Sequence, residues 1–207
     1  MKDYSQHGES KILYDIFQKI KPINKFAVEF GASDGQWLSN IKMFLDLGWD
    51  GLQMEGSNNL GNNVKKEFIT KENINKLFEK YQVPEEFDLL SIDIDGNDYW
   101  VWKELEYFPS VVIIEYNSNF SLDESYVIKY KPNHDFEKDN KSYSASLLAL
   151  KSLGESKGYF LSHEIRYCNL IFIKNEYKNL FSELDLSKVK LPFRHHNGKN
   201  IDDFVKI

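Results

Sequence analysis

Two kinds of hydrophobic spacing alternate along this chain. Short unbroken apolar runs suit strands covered on both faces, and the stretches between them repeat apolar residues every three or four positions, as helices packed on one side do. The first helical stretch spans 5–20, where Ile12, Leu13, Ile16, Phe17 and Ile20 share a face that Lys11, Asp15 and Lys19 avoid. Its polar opening, Ser5-Gln6-His7-Gly8-Glu9, either caps that helix or reaches over a site. Phe26 to Phe30 predicts a buried strand that breaks into a turn at Gly31 and Gly35, and a helix starts near Trp37 or Leu38 with Ile41, Phe44 and Leu45 inward. Gly48 stops this helix, and a second strand over 51–55 closes on Glu55. A short third strand falls within 64–70 and a helix over 72–81, before Pro84 breaks the chain.

The same logic makes Phe87 to Ile94 the fourth strand, Asp95-Gly96-Asn97-Asp98 a turn, and Tyr99 the start of a helix. Val111 to Glu115 is the fifth strand. Residues 118–143 are polar and without period, as expected of a substrate loop more than of filler. A helix with Leu147, Leu150 and Leu153 on one face ends at Gly158, and the strands 159–162 and 169–173 follow too closely for a crossover, so they pair antiparallel or not at all. Five strand and helix cycles predict a doubly wound parallel sheet finished by an edge hairpin.

Composition narrows the function classes. With 207 residues and 42% hydrophobic content, the chain suits a single domain over 1–207. Its net charge of −6 disfavours a nucleic-acid partner, since phosphate backbones call for a basic face. No apolar run reaches the roughly 20 residues of a membrane span. The lone Cys168 and the lack of a charged-then-apolar leader lead us to expect a reducing, cytoplasmic setting, with Cys168 a small buried hydrophobe. In the tail, His195 and His196 beside Arg194, Asn197 and Gly198 read as a solvated loop.

The candidate chemistry gathers at strand ends. Glycines at 31 and 35 let backbone N–H groups approach a ligand, and Glu55 follows twenty positions after Gly35, the separation at which a second strand delivers a carboxylate to a ribose diol. Asp93 with Asp95, and Glu115 with Asn117, are each spaced i, i+2, so on extended chain both members of a pair point the same way. Four oxygen-bearing side chains on adjacent strands suit Mg²⁺ or Mn²⁺, or else a turn that hydrogen-bonds the substrate directly. His7 and His134 are the candidate general bases. Tyr99 and Trp102 share a helix face with Leu105 and read as core.

Val28-Glu29-Phe30-Gly31-Ala32-x-Asp34-Gly35, Ser91-Ile92-Asp93-Ile94-Asp95-Gly96-Asn97-Asp98 and Ile114-Glu115-Tyr116-Asn117 resemble the motifs of class I S-adenosylmethionine (SAM) dependent methyltransferases, and more closely those of the FkbM-like family. The resemblance, which runs from about Ser5 to Ile173, implies a seven-stranded Rossmann-like methyltransferase sheet in the order 3-2-1-4-5-7-6. It implies that Gly31 and Gly35 flank the methionine moiety, with Glu29, Ala32, Ser33, Asp34, Asn40 and Ser57 also in the cofactor set. Glu55 would hold the ribose hydroxyls, Asn73 and Ile74 would lie near adenine, and Asp93 would face the transferred methyl. His7 belongs to an opening that recurs in the FkbM-like relatives, so His7, Asp93 and Asp95 are the catalytic candidates. The implied activity is O-methylation of a small polar acceptor, a sugar or sugar-linked group in cell-surface polysaccharide or related glycan synthesis. The rivals are a catalytically silent nucleotide-binding scaffold and a NAD-dependent oxidoreductase, the latter disfavoured by the missing middle glycine of G-x-G-x-x-G.

Overall fold

A computed structural model describes residues 2–58, 60–191 and 200–207. The histidine pair at 195–196 lies outside them. In chain order the elements are α1 (Glu9–Lys19), β1 (Phe26–Phe30), α2 (Lys42–Asp46), β2 (Asp50–Glu55), β3 (Lys65–Lys66), α3 (Ile74–Lys80) and β4 (Glu86–Ile92). After these come α4 (Asp98–Glu104), β5 (Phe108–Glu115), β6 (Tyr126–Ile128), α5 (Leu147–Ser156), β7 (Tyr159–Ile165), β8 (Asn169–Lys174) and, past three short 3₁₀ turns, β9 (Phe204–Lys206).

Seven strands form one sheet in the order β3-β2-β1-β4-β5-β8-β7. Strands β3, β2, β1, β4 and β5 run parallel, and β8 joins β5 antiparallel with β7 folded back on it. With β6 outside this sheet, that is the expected 3-2-1-4-5-7-6 arrangement with its edge hairpin. Alternate residues feed two cores. Val28, Leu90, Val112 and Phe172 face α3, α4 and α5, while Ala27, Leu89, Val111 and Ile171 face α1 and α2. Strands buried on both faces explain why their sequences read as unbroken apolar runs. Trp102 is fully buried against Phe172 and Tyr159, the core role that the helical spacing predicts.

Three local differences have physical causes. The expected helix at Trp37 or Leu38 begins only at Lys42, because side chains capture the backbone first. Asp34 Oδ1 accepts from the N–H groups of Gln36 and Trp37, Leu38 sits at φ 60°, and Ser39 Oγ accepts the Lys42 N–H that opens the helix. Helix α1 starts at Glu9 rather than at Ser5, since Gly8 is left-handed at φ 91° and Ser5 Oγ instead accepts from Ser10 N at 3.1 Å. Finally, the 118–143 loop contains a strand. β6 pairs antiparallel with β9, and Phe120, Ile128 and Phe204 close a small cluster over the pair. Three-residue strands whose partner lies more than seventy positions away leave no periodicity to read.

No helix among the described residues is long and apolar enough to cross a membrane.

Candidate active site

The carboxyl ends of the parallel strands open into a cleft of about 710 Å³, within the range of small-molecule sites. Its first half is built by two carboxylates that hold turns together. Glu29, buried at the end of β1, accepts from Ser39 Oγ at 2.6 Å, from Asn40 N at 2.7 Å and from Gln53 Nε2 at 2.9 Å. Burial pushes the Glu29 carboxyl up from its ordinary range, and these hydrogen bonds oppose that push. Glu55, at the end of β2, accepts Ser33 N at 3.0 Å on one oxygen and Ser57 N at 2.6 Å on the other. It therefore ties the turn after β1 to the turn after β2. Asn40 Nδ2 donates to Ser91 Oγ on β4 at 3.0 Å, which fixes the third strand end of this half.

The glycines here answer to the fold before they answer to a ligand. Gly31 has φ +67°, and a Cβ on it would lie 1.6 Å from the Asp93 carbonyl oxygen. Gly35, at φ +76°, would meet Gln53 and Val64 at 2.8 Å. Both positions are closed to a side chain from within, so packing of β1 against β4 and β2 calls for glycine at each, beside the expected ligand approach.

The second half of the cleft is acidic. Asp93 follows β4, Asp95 sits in the next turn at φ 53°, and Glu115 ends β5. One carboxylate oxygen from each falls within 4.8 Å of the others. Asp98 organises the turn from behind by accepting Ile94 N at 2.8 Å and Gly96 N at 3.0 Å. Burial lifts Asp98 to about 6. Burial, together with Asp98 and Asp95, holds Asp93 well above the carboxylate range, and burial together with Asp93 does the same to Glu115. Burial and the facing Glu55 raise Asp95. Ser144 binds the two strand ends together, its Oγ donating to Glu115 O at 2.7 Å and its N–H to Gly96 O at 2.9 Å.

Several expected site residues lie elsewhere. Asn117 is fully buried with its amide spent inside the loop, Nδ2 donating to Tyr143 O and Oδ1 accepting from both the N–H and the Nδ2 of Asn119. Asn97 takes its place on the cleft wall. His7 does not line the cleft. Its N–H donates to Glu9 Oε2, and the neighbouring Gln6 faces the cavity instead. His134 does line it, with Nε2 3.0 Å from Asp95 O, Nδ1 3.3 Å from Asp139 Oδ2, and its ring occupying the space a Gly96 Cβ would need. Glu29, Gly31, Ser33, Asn40, Glu55, Ser57 and Asp93 all line the cleft, whereas Ala32, Asp34 and Gly35 form the turn behind it. Asn73 caps its own loop through Thr70 N and Phe68 O, and Ile74 is buried in the core.

Other wall residues escaped the sequence reading. Phe68 and Ile69 line the end beside Glu55, Phe68 half exposed, and Trp37 stands 70% exposed at the rim. Exposed aromatics interrupt no hydrophobic pattern, so nothing in spacing marks them. Cys168 also lines the cleft, half-buried instead of buried, and its thiol is pushed up by burial and by Glu115 and Asp93.

Neither a protein-family model nor a curated protein sequence matches this chain. Among solved structures it is similar to a S-adenosylmethionine-dependent methyltransferase from Clostridium acetobutylicum ATCC 824, at 9% identity and TM-score 0.48 over 84% of this chain and 92% of that one. It is also similar to the N-terminal domain of EvdMO1 with SAH bound, at 14% identity and TM-score 0.47 over 80% of each chain. A third likeness is a SAM dependent methyltransferase from Aquifex aeolicus, at 11% identity and TM-score 0.42 over 80% of this chain and 88% of that one. At these levels the likenesses bear on neither activity nor substrate.

Proposed function

We propose that the chain is a SAM-dependent methyltransferase acting on an oxygen of a small polar acceptor, with a sugar or sugar-linked group as the acceptor class that the FkbM-like resemblance implies. The observation that carries the reading is the placement of Glu55. Its carboxylate joins the turns after β1 and β2 at one end of the cleft, across from Asp93, Asp95 and Glu115 at the ends of β4 and β5. A ribose diol donates two hydrogen bonds and suits a carboxylate in that position. Gly31, Ser33 and Asn40 would border the methionine moiety, and Phe68 and Ile69 would flank the adenine in place of Asn73 and Ile74. When bound, SAM supplies a methyl group already activated by its sulfonium.

The remaining work falls to this chain's carboxylates. Burial and the neighbouring carboxylates hold Asp93 and Glu115 well above the carboxylate range, and either of them, once it has given up its proton, is a base for an acceptor hydroxyl. His134 holds the loop over them through Asp95 O. The same proposal includes a cytoplasmic setting, a single domain and an acceptor other than nucleic acid. Calorimetric titration with S-adenosylhomocysteine and with NAD tests the cofactor, and mass-spectrometric detection of a methyl-sized gain on an acceptor separates an enzyme from a scaffold. Binding of NAD in preference to S-adenosylhomocysteine would overturn the reading.

A second reading of the acidic group is favoured by Glu115 Oε2, which is buried with no hydrogen-bond partner. Asp93, Asp95 and Glu115 would then hold Mg²⁺ or Mn²⁺, whose preference for hard oxygen ligands fits this set. Loss of methyl transfer in EDTA, restored by either cation, selects it. Full activity after chelation rejects it.

A further inference from the structure

Seven of the residues that line the cleft are Asp or Glu, and among the described residues none that line it is Lys or Arg. Such a wall repels phosphate and diphosphate groups and attracts cations. The wall also lacks hydrogen where a ligand must supply it. Asn97 is only 3% exposed and lines the cleft, and its Nδ2 donates to Lys131 O at 2.7 Å. A carbonyl only accepts, so this bond fixes the amide with Oδ1 as its other end. Asn97 Oδ1 is buried and has no partner. Glu115 Oε2 is buried and unpartnered as well, in the group where three carboxylates approach within 4.8 Å. A buried acceptor without a donor is costly, and clustered carboxylates are costly unless positive charge or protons intervene.

We propose that the acceptor carries a protonated primary amine, as an amino sugar or another amino alcohol does, and that Asp93, Asp95, Glu115 and Asn97 seat its ammonium group. This rests on the methyltransferase reading for the fate of the acceptor but not for its binding. An ammonium brings three N–H donors and one positive charge, whereas a neutral hydroxyl brings one donor and leaves the repulsion in place. Held among carboxylates, the ammonium keeps its proton and is no nucleophile. The methyl group therefore goes to a neighbouring hydroxyl oxygen, with the O–CH₃ bond forming as the S–CH₃ bond breaks and the hydroxyl proton passing to a carboxylate. The inference also places the enzyme away from sugar nucleotides, whose diphosphate would face this wall.

Matched probes test it on the full chain. Glucosamine against glucose, and ethanolamine against ethylene glycol, differ only in amine for hydroxyl, and glucose 6-phosphate adds an anion. Calorimetric titrations are run with and without saturating S-adenosylhomocysteine, and Mg²⁺ alone is titrated in parallel. The expected result is that the amine member of at least one pair binds about tenfold tighter than its hydroxyl twin. Glu115→Gln should remove that preference. The proposal is overturned if neither amine is preferred, if glucose 6-phosphate binds best, or if only Mg²⁺ binds. Failure of S-adenosylhomocysteine to bind would instead overturn the methyl-donor reading, while the amine titration without it still decides this one.

Discussion

Gly31 and Asp93 are in contact through their backbones, with space for no more than a hydrogen on the glycine, since a Cβ would stand 1.6 Å from the Asp93 carbonyl oxygen. The contact seats the ends of β1 and β4 side by side and so sets where the Asp93 carboxylate faces the cleft. Gly31→Ala should therefore destabilise the protein through both the clash and the positive φ, by about 1 to 3 kcal/mol or more. Urea unfolding checks this. A variant as stable as the parent, with only cofactor binding lost, would return Gly31 to a pure ligand-approach role.

Glu55→Ala should weaken S-adenosylhomocysteine roughly tenfold to a hundredfold, the 1.5 to 3 kcal/mol of hydrogen bonds to a charged group. Because the same carboxylate accepts Ser33 N and Ser57 N, a modest fall in Tm should accompany the loss. Calorimetric affinity equal to that of the parent would remove Glu55 from the ribose site.

The two histidines separate cleanly. His134→Ala should lower kcat/KM by about tenfold or more, since its ring links the loop to Asp95 O, while His7→Ala should change it by less than about twofold. The opposite order in steady-state kinetics would return the role to His7.

Asp98 predicts a pH signature. Burial raises its carboxyl from 3.8 to about 6, so the folded protein holds this proton more tightly than the unfolded chain. Stability from this group is thus fully present below the unfolded value and declines as pH rises through about 6. Asp98→Asn cannot titrate, and it leaves either Ile94 N–H or Gly96 N–H facing an NH₂ group. The stability advantage of the parent over this variant should shrink between about pH 4 and about pH 7, as urea midpoints at several pH values would report. An advantage that grows over that window would contradict the burial effect.

The architecture was legible where burial imposes a pattern. Ala27 and Val28, Leu89 and Leu90, and Val111 and Val112 point to opposite cores, so their strands read as apolar runs of the right length and order. Legibility ended where side chains capture backbone. Asp34 and Ser39 delay the helix to Lys42 by hydrogen bonds that a hydrophobic period does not record. The acidic strand ends at Asp93, Asp95 and Glu115 were readable from spacing, yet the same rule chose Asn117 over Asn97. Strand geometry ends before the residue in question, and the turn at Asp95, not an extended register, brings Asn97 to the wall. His134, already a candidate base from the sequence, and Phe68, which no local feature distinguishes from a surface residue, both reach the cleft from segments whose placement depends on tertiary contacts.

The exposed Trp37 gives this protein its own optical probe. Trp49 and Trp102 are buried and Trp100 is half-buried with its indole N–H bonded to Ile128 O, so solvent-relaxed, red-shifted emission comes chiefly from the indole at the cleft rim. Occupation of the cleft can be followed by fluorescence in the unlabelled chain, and replacing Trp37 by Phe identifies the part of the signal that belongs to the rim.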